Sequence, residues 1–283
     1  QVMYRMIKSR KQLREVMTWF WENHFNTSFG SHDNVQFEFN ENNQFRQLAL
    51  GRFEDLLLAS AKSPAMIYYL NNAENVKGAA NENYAREIME LHSMGVDGGY
   101  TDSDVAELSK IFTGWHEQNG AFFFNDNEHD YADKVFLGQN IAGVGVEEGE
   151  QAIGMLASHP STASYLCGKL ITFFVKDEPD SGLQGQCAAS YLNSDGNMTT
   201  VLQTIFQSGT FALEQVTRRK VKTPLELVIG VARSFGRTID MSEIDRPMQT
   251  LNMRLFVYPV PTGYSEYGAD WLNTNALLQR VKF

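Results

Sequence analysis

Apolar residues recur at helical spacing through most of this chain, strand-like runs cluster in one short stretch, and helix-start signals punctuate the sequence at close intervals. Together these features predict a mainly α fold, a multi-helix orthogonal bundle with a small β-hairpin insertion at about residues 120–140. At 283 residues the chain can bury a sizeable core, and it is expected to form a single helical domain over 1–283.

Val2, Met6 and Ile7 already follow a helix-like pattern. A clearer helix is expected over 11–25, where Leu13, Val16, Met17, Phe20 and His24 fall near helical spacing. Residues 26–43, rich in Asn, Ser, Gly and Asp, read as an exposed connection. A second helix runs through Phe45, Leu48, Phe53, Leu56, Leu57 and Ala61, and Ser63-Pro64 restarts a short one with proline in its first turn. After a polar connection over 71–80, residues 81–94 form the most distinctive helix. Thr101-Asp-Ser-Asp104 has capping-box character, with Asp in the place of Glu, and opens a helix through Val105, Leu108, Ile111 and Phe112. The runs 121–124 and 135–137 are expected to pair as one hairpin with an elongated polar tip. Helices follow at 147–158, 160–175, 183–193, 198–207 and 223–236. A proline-punctuated extended stretch over 257–263 then precedes a last helix from about Asn273.

Apolar residues make up 43% and charged residues 20%, an ordinary globular composition that argues against disorder. The formal charge of −10 disfavours a nucleic-acid partner, which needs a basic patch to displace counterions. No apolar run approaches the roughly 20 residues needed to span a bilayer, so no membrane span is expected. The pattern is already helical at Gln1 and still running at Leu277–Phe283, so the chain reads as a fragment of a longer protein. Cys167 and Cys187 are the only cysteines. Neighbouring antiparallel helices would bring them within bridging distance and point to an oxidising compartment; the other reading is two small buried hydrophobes.

Several stretches in order resemble a bacterial family, domain of unknown function 1800. They are Phe20-Trp-Glu-Asn-His-Phe25; Asn81-Glu-Asn-Tyr-Ala-Arg-Glu-Ile-Met-Glu-Leu-His-Ser-Met-Gly95; Gly99–Val105; Thr113-Gly-Trp115; and His129-Asp130 with Lys134 and Leu137-Gly138. His159-Pro160, Lys169-Leu170, Phe174-Val175, Pro224-Leu-Glu226, Pro261-Thr-Gly-Tyr264 and Asp270-Trp271 continue the match. Ala132 and Tyr264 depart from the family's usual Gly and Trp. The resemblance covers nearly the whole chain and implies a periplasmic or extracellular protein, longer at both ends and often encoded beside a sulfatase-like family. It implies no catalytic residues, because the family carries no established activity.

The chemistry must therefore be read from residue types. Glu82, Arg86 and Glu90 line one face of the 81–94 helix at i, i+4 and i+8, and Asn83 and Glu87 form a stripe beside them. Glu87 and Glu90, at i and i+3, are close enough to share a cation. The plain alternative is a solvated face whose ion pairs each add a few tenths of a kcal/mol, or an Arg86 buried as a clamp. His24 and His92 would have to converge with these groups from separate segments to bind a metal. His24, among Phe20, Trp21 and Phe25, suits a hydrogen-bonded core residue better than a ligand. His129 and Asp130, with Lys134 nearby, are expected on an exposed hairpin tip, where binding groups are often mounted; Asp130 could instead simply fix its own loop. No Gly-x-Ser-x-Gly elbow, His-Glu-x-x-His or phosphate loop is present.

The leading expectation is an exported helical enzyme, a hydrolase or an enzyme's partner, whose site gathers the 81–94 helix, His24 and the 129–134 loop. Glu87 and Glu90 would act as general base or metal ligands, Arg86 as an anion clamp, and His129 and Asp130 as metal ligands. His24, Asn83, His92 and Lys134 would bind, with a divalent metal as the cofactor class. The alternative is a non-catalytic envelope binding or assembly protein acting with a sulfatase-like partner.

Overall fold

The computed structural model describes residues 1–217, 220–235 and 241–283. In chain order the helices are α1 (Val2–Lys8), α2 (Gln12–His24), α3 (Val35–Leu48), α4 (Phe53–Ala61), α5 (Pro64–Tyr69), α6 (Glu82–Glu90) and α7 (Asp102–Ile111). Two small antiparallel pairs follow, β1 (Trp115–Gln118) with β2 (Ala121–Phe124), and β3 (Lys134–Phe136) with β4 (Gln139–Ile141). The remainder is helical: α8 (Val146–Ser158), α9 (Pro160–Phe174), α10 (Ser181–Asn193), α11 (Met198–Phe206), α12 (Gly209–Thr217), α13 (Pro224–Phe235), α14 (Met241–Thr250) and α15 (Thr274–Lys282). The mainly α class is thus as expected. No helix among the described residues is long and apolar enough to cross a membrane.

Capping fixes many of the boundaries. Thr101 and Asp104 form the reciprocal capping box, Pro64 and Pro160 sit in the first turns of α5 and α9, and Asn273 caps α15. The core is continuous. Met17, Phe20, Trp21 and Phe25 of the α2 region pack with Phe45, Phe53, Ile88, Leu108, Leu166 and Leu170 in one cluster. Burial on this scale stabilises each large side chain by about 1.5–3 kcal/mol relative to exposure. At Gly149 in α8, an added Cβ would lie 2.1 Å from the Trp115 ring, so only glycine lets the helix rest against it.

Several boundaries differ from the sequence expectation. The polar stretch 26–43 is not all connection, because α3 begins at Val35, capped by the Asn34 side chain accepting from the Gln36 amide. The helix expected through Phe45 and Ala61 is two helices, broken at residues 49–52, where Gly51 bonds back to the Leu48 carbonyl. The runs 121–124 and 135–137 do not pair with each other. Each has its own neighbour: Trp115 pairs with Phe124, and Lys134 with Ile141. The turns carry Asn119-Gly120 and Leu137-Gly138 at positive φ, which favours these local hairpins over one long one. The helix expected over 81–94 ends at Glu90. The helix expected at 223–236 is seen over Pro224–Phe235, and residue 236 lies outside the described residues. Helices α12 and α14 were not read in the sequence.

Cys167 of α9 and Cys187 of α10 form a disulfide, with their Cα atoms 5.8 Å apart and a sequence separation of 20. It ties together the two helices that carry one wall of the cavity described below. The Cys167→Ala/Cys187→Ala double variant is expected to lose about 3 kcal/mol of unfolding free energy, the loop-closure value for a bridge of this span. Urea unfolding of both proteins measures it, and coincident curves would mean that the bridge adds nothing.

Candidate functional site

The last turns of α2 are buried on every side, and each polar residue there reaches a different part of the molecule. Trp21 donates from its indole to the Ala49 carbonyl at 3.0 Å. Glu22, Asn23 and His24 point to three separate polar surroundings.

Glu22 meets Glu38 and Glu41, which lie three residues apart on α3 and so share a face. The three are buried, and carboxylate oxygens from all of them lie within 4.8 Å of one another, an arrangement able to hold a metal ion. Asn42 donates to Glu22 Oε2 at 2.7 Å, and His32 Nε2 lies 3.0 Å from Glu38 Oε1. The Thr27 hydroxyl lies 3.0 Å from Glu38 Oε2 and 2.9 Å from Glu41 Oε2. Burial, reinforced by neighbouring carboxylates, pushes Glu22 well above the usual carboxylate range and Glu41 up to about 8.

Asn23 faces the irregular segment after α14. Its Oδ1 accepts from the Tyr264 amide at 2.7 Å while its Nδ2 donates to the Tyr264 carbonyl at 2.9 Å and to Glu266 Oε1 at 2.7 Å. The chain passes so close that a Cβ on Gly263, which has φ +68°, would lie 2.1 Å from the Asn23 carbonyl oxygen. This contact forms the base of an open cavity of about 610 Å³. Lys169 of α9, Tyr165, Tyr258, Tyr264, Tyr267 and Glu266 line it, and Gln184 of α10 stands at the rim. The Lys169 ammonium lies 5.7 Å from the Tyr165 ring centre. Among the described residues it has no carboxylate within ion-pairing distance. Burial lowers Lys169 to about 8, opposed by Glu266. Burial raises Glu266 to about 7, opposed by Lys169 and the Asn23 hydrogen bond.

His24 donates from Nε2 to the His92 carbonyl at 3.0 Å and stacks on Phe20. Burial, with the Lys169 charge added, holds His24 well below the usual histidine range and His92 down at about 3, so both rings are neutral.

The segments expected to form one site do not converge as drawn from the sequence. His129 is not on an exposed tip but is 1% exposed, its Nδ1 at 2.7 Å from the Thr113 carbonyl and its Nε2 at 2.8 Å from Glu148 Oε1. Lys134 is as deeply buried and donates to Glu148 Oε2 at 2.5 Å and to the Asp130 carbonyl. Asp130 accepts from the Ala132 amide and so fixes its own loop. With both His129 nitrogens engaged, the 129–134 segment is a closed clamp, separate from His24. Arg86 is exposed and pairs with Glu82 and Asp102, and Asn83 donates to the Leu70 carbonyl. Glu87 is half-buried, and burial beside Glu90 raises its pKa. The charges of Glu87 and Glu90 act on Tyr100, and that of Glu90 on Tyr165, a lining residue of the cavity, but neither glutamate lines it.

The sequence reading missed Glu22, Glu38, Glu41, Lys169 and Glu266. Three of these left a trace: the i, i+3 glutamates Glu38 and Glu41 of α3 inside a stretch taken for a loop, and Lys169 among Leu166, Leu170 and Ile171. The profile of the family described as "Protein of unknown function (DUF1800)" matches residues 1–283. The chain belongs to that family. No curated protein and no solved structure matches it. For this DUF1800 chain, the motif stretches separate into two kinds. The 129–134 motif closes the clamp, whereas the motifs containing Asn23, Lys169, Tyr264 and Asp270 meet at the cavity.

Lys134→Met should leave Glu148 short of a partner in a closed interior and destabilise the fold by about 3–5 kcal/mol. Denaturant unfolding checks it, with Glu148→Gln expected to recover part of the loss in the double variant. A cost below about 1 kcal/mol would contradict the clamp.

Proposed function

We propose that this chain is an exported helical enzyme of the hydrolytic, acid–base kind, working in the cavity between α9 and the 258–270 segment on a small polar substrate that carries an anionic group. The observation that supports this reading is the juxtaposition of Lys169 and Glu266 at the base of an open cavity of about 610 Å³, a volume suited to a small molecule. Lys169 offers an ammonium with free valences to a carboxylate, sulfate or phosphate group. Glu266, raised toward neutrality by burial, suits proton transfer near pH 7. The tyrosines supply flat apolar walls with polar edges. Glu87 and Glu90 would contribute from the α6 side, as acidic groups that repel a misplaced anion. The divalent cation expected from the sequence finds its better donor set in the acidic triad, outside this cavity. The Cys167–Cys187 bridge and the family resemblance support a periplasmic or extracellular location.

The second reading, an envelope assembly protein with a sulfatase-like partner, draws support from α15. This helix leaves Leu277, Leu278 and Val281 exposed.

Binding and turnover should both depend on pH in a direction set by the pair. Below about 7 Glu266 is neutral and Lys169 charged, which favours an anion; between about 7 and 8 Glu266 ionises and then Lys169 discharges, and affinity falls. The surrounding charges are Lys220, paired with Asp177, together with Glu226, Asp270 and the Tyr165 and Tyr267 hydroxyls; the neutral His24 and His92 complete the surroundings. A panel of sulfated, phosphorylated and carboxylated sugars and peptides, followed by tyrosine and tryptophan fluorescence and by product release, tests this. Lys169→Met should weaken the best ligand tenfold or more, about 1.4 kcal/mol. Glu266→Gln should spare binding but depress turnover. If both variants match the parent for every ligand bound or turned over, the cavity is not the site.

A further inference from the structure

The carboxylates of Glu22, Glu38 and Glu41 lack enough donors. Among the described residues, their one contacting side-chain amide is that of Asn42, used by Glu22, and their one contacting basic group is His32, at Glu38. Thr27 has a single hydroxyl hydrogen, yet its oxygen lies within 3.0 Å of both Glu38 and Glu41. One of those contacts therefore brings two acceptors together unless a proton or a cation intervenes. Glu41 Oε1 is buried with no hydrogen-bond partner among the described residues.

Two further buried hydroxyls lie near Glu41. The Tyr84 hydroxyl of α6 is 2% exposed, makes no hydrogen bond among the described residues, and lies in the field of Glu41. Ser63, 1% exposed, faces Glu41 closely enough to favour its ionised form, but its hydroxyl likewise has no partner of good geometry. Two buried hydroxyls left unpaired beside an acidic cluster are unusual, since such groups are nearly always satisfied. The triad thus departs from the fully paired His129–Glu148–Lys134 clamp, although both are buried to a similar degree.

We propose that Glu22, Glu38 and Glu41 are the ligands of a hard divalent cation. All the donors are oxygens, which select calcium, magnesium or manganese over zinc or copper. An ion about 2.4 Å from each donor accommodates oxygen pairs up to twice that distance apart, and the carboxylate oxygens of the triad lie within 4.8 Å of one another. Two positive charges offset two of the three carboxylates, and His32 lies against Glu38. Thr27 and Tyr84 supply neutral oxygens, while Asn42 and His32 orient the carboxylates from outside. Glu22, 8% exposed against 2% for each of the other two, marks the access side. The site is independent of the Lys169–Glu266 cavity: the two stand or fall separately.

The test uses chelator-stripped full chain, titrated separately with calcium, magnesium and manganese by equilibrium dialysis and thermal unfolding. About one ion per chain and a rise of roughly 5 °C at saturation are expected for at least one of the three. Glu41→Gln and, on the other helix, Glu22→Gln relieve the repulsion, so each should fold at least as well as the stripped parent and lose the cation response. Absence of binding and of any thermal shift in the parent at millimolar cation would overturn the proposal, leaving the carboxyls protonated. A shift that persists undiminished in a folded Glu41→Gln or Glu22→Gln protein would overturn it equally.

Discussion

The last two turns of α2 lie inside the protein on every face, so each polar group they carry has to be satisfied internally. That constraint organises the molecule. Trp21 fixes the break between α3 and α4 through the Ala49 carbonyl, Glu22 looks into the α3 glutamates, Asn23 holds the Tyr264 backbone, and His24 holds the turn after α6 through the His92 carbonyl. Four consecutive residues thus tie down segments as far apart as residues 49 and 264. An amphipathic surface helix could not do this, because its polar face is turned to solvent.

Two buried charged clusters show how differently such groups can be settled. In the clamp, a carboxylate faces an ammonium, an imidazole and the Gly145 amide, and both Glu148 oxygens, both His129 nitrogens and the Lys134 ammonium have partners. In the triad, three acids face one amide, one imidazole and one shared hydroxyl. The first arrangement is complete in itself and reads as structure. The second is complete only with added positive charge, as a proton or as a cation, and the shared Thr27 hydroxyl makes the shortage visible without reference to any titration.

The helical class, the capping box at Thr101, the proline starts of α5 and α9 and the last helix were legible because each depends on residues within a few positions of one another. The hairpins were misread for the opposite reason. Strand-like runs announce strands but not their partners, and two left-handed turns at Asn119-Gly120 and Leu137-Gly138 decided the pairing. The site was harder still. His129, Asp130 and Lys134 looked like an exposed trio because their segment is polar, yet Glu148, from the first turn of α8, turns it inward. Glu38 and Glu41 were passed over because the Asn- and Ser-rich run before them masked the start of α3. Glu22 and Glu266 owe their interest wholly to contacts across the fold, which no local pattern carries.

The cavity shows how an irregular segment becomes a fixed wall. Between Arg254 and Gly268 the chain forms no helix of more than a turn and no strand, so its backbone groups must be met from elsewhere. The Asn26 side chain donates to the Tyr258 and Val260 carbonyls, Asn23 takes both polar groups of Tyr264, Lys220 donates to the Glu266 carbonyl, and Asp177 accepts from the Gly268 amide. Two of those six attachments come from one core asparagine, Asn23, and two more from Asn26, three residues later. The facing wall is held by other means: Lys169 stands two residues after Cys167, whose disulfide joins α9 to α10, and Gln184 of α10 donates to the Ser164 carbonyl. A loop mounted on a buried helix thus faces a helix braced by a covalent bridge. Lys169 and Glu266 face the cavity from these two walls, each wall anchored by contacts in the core.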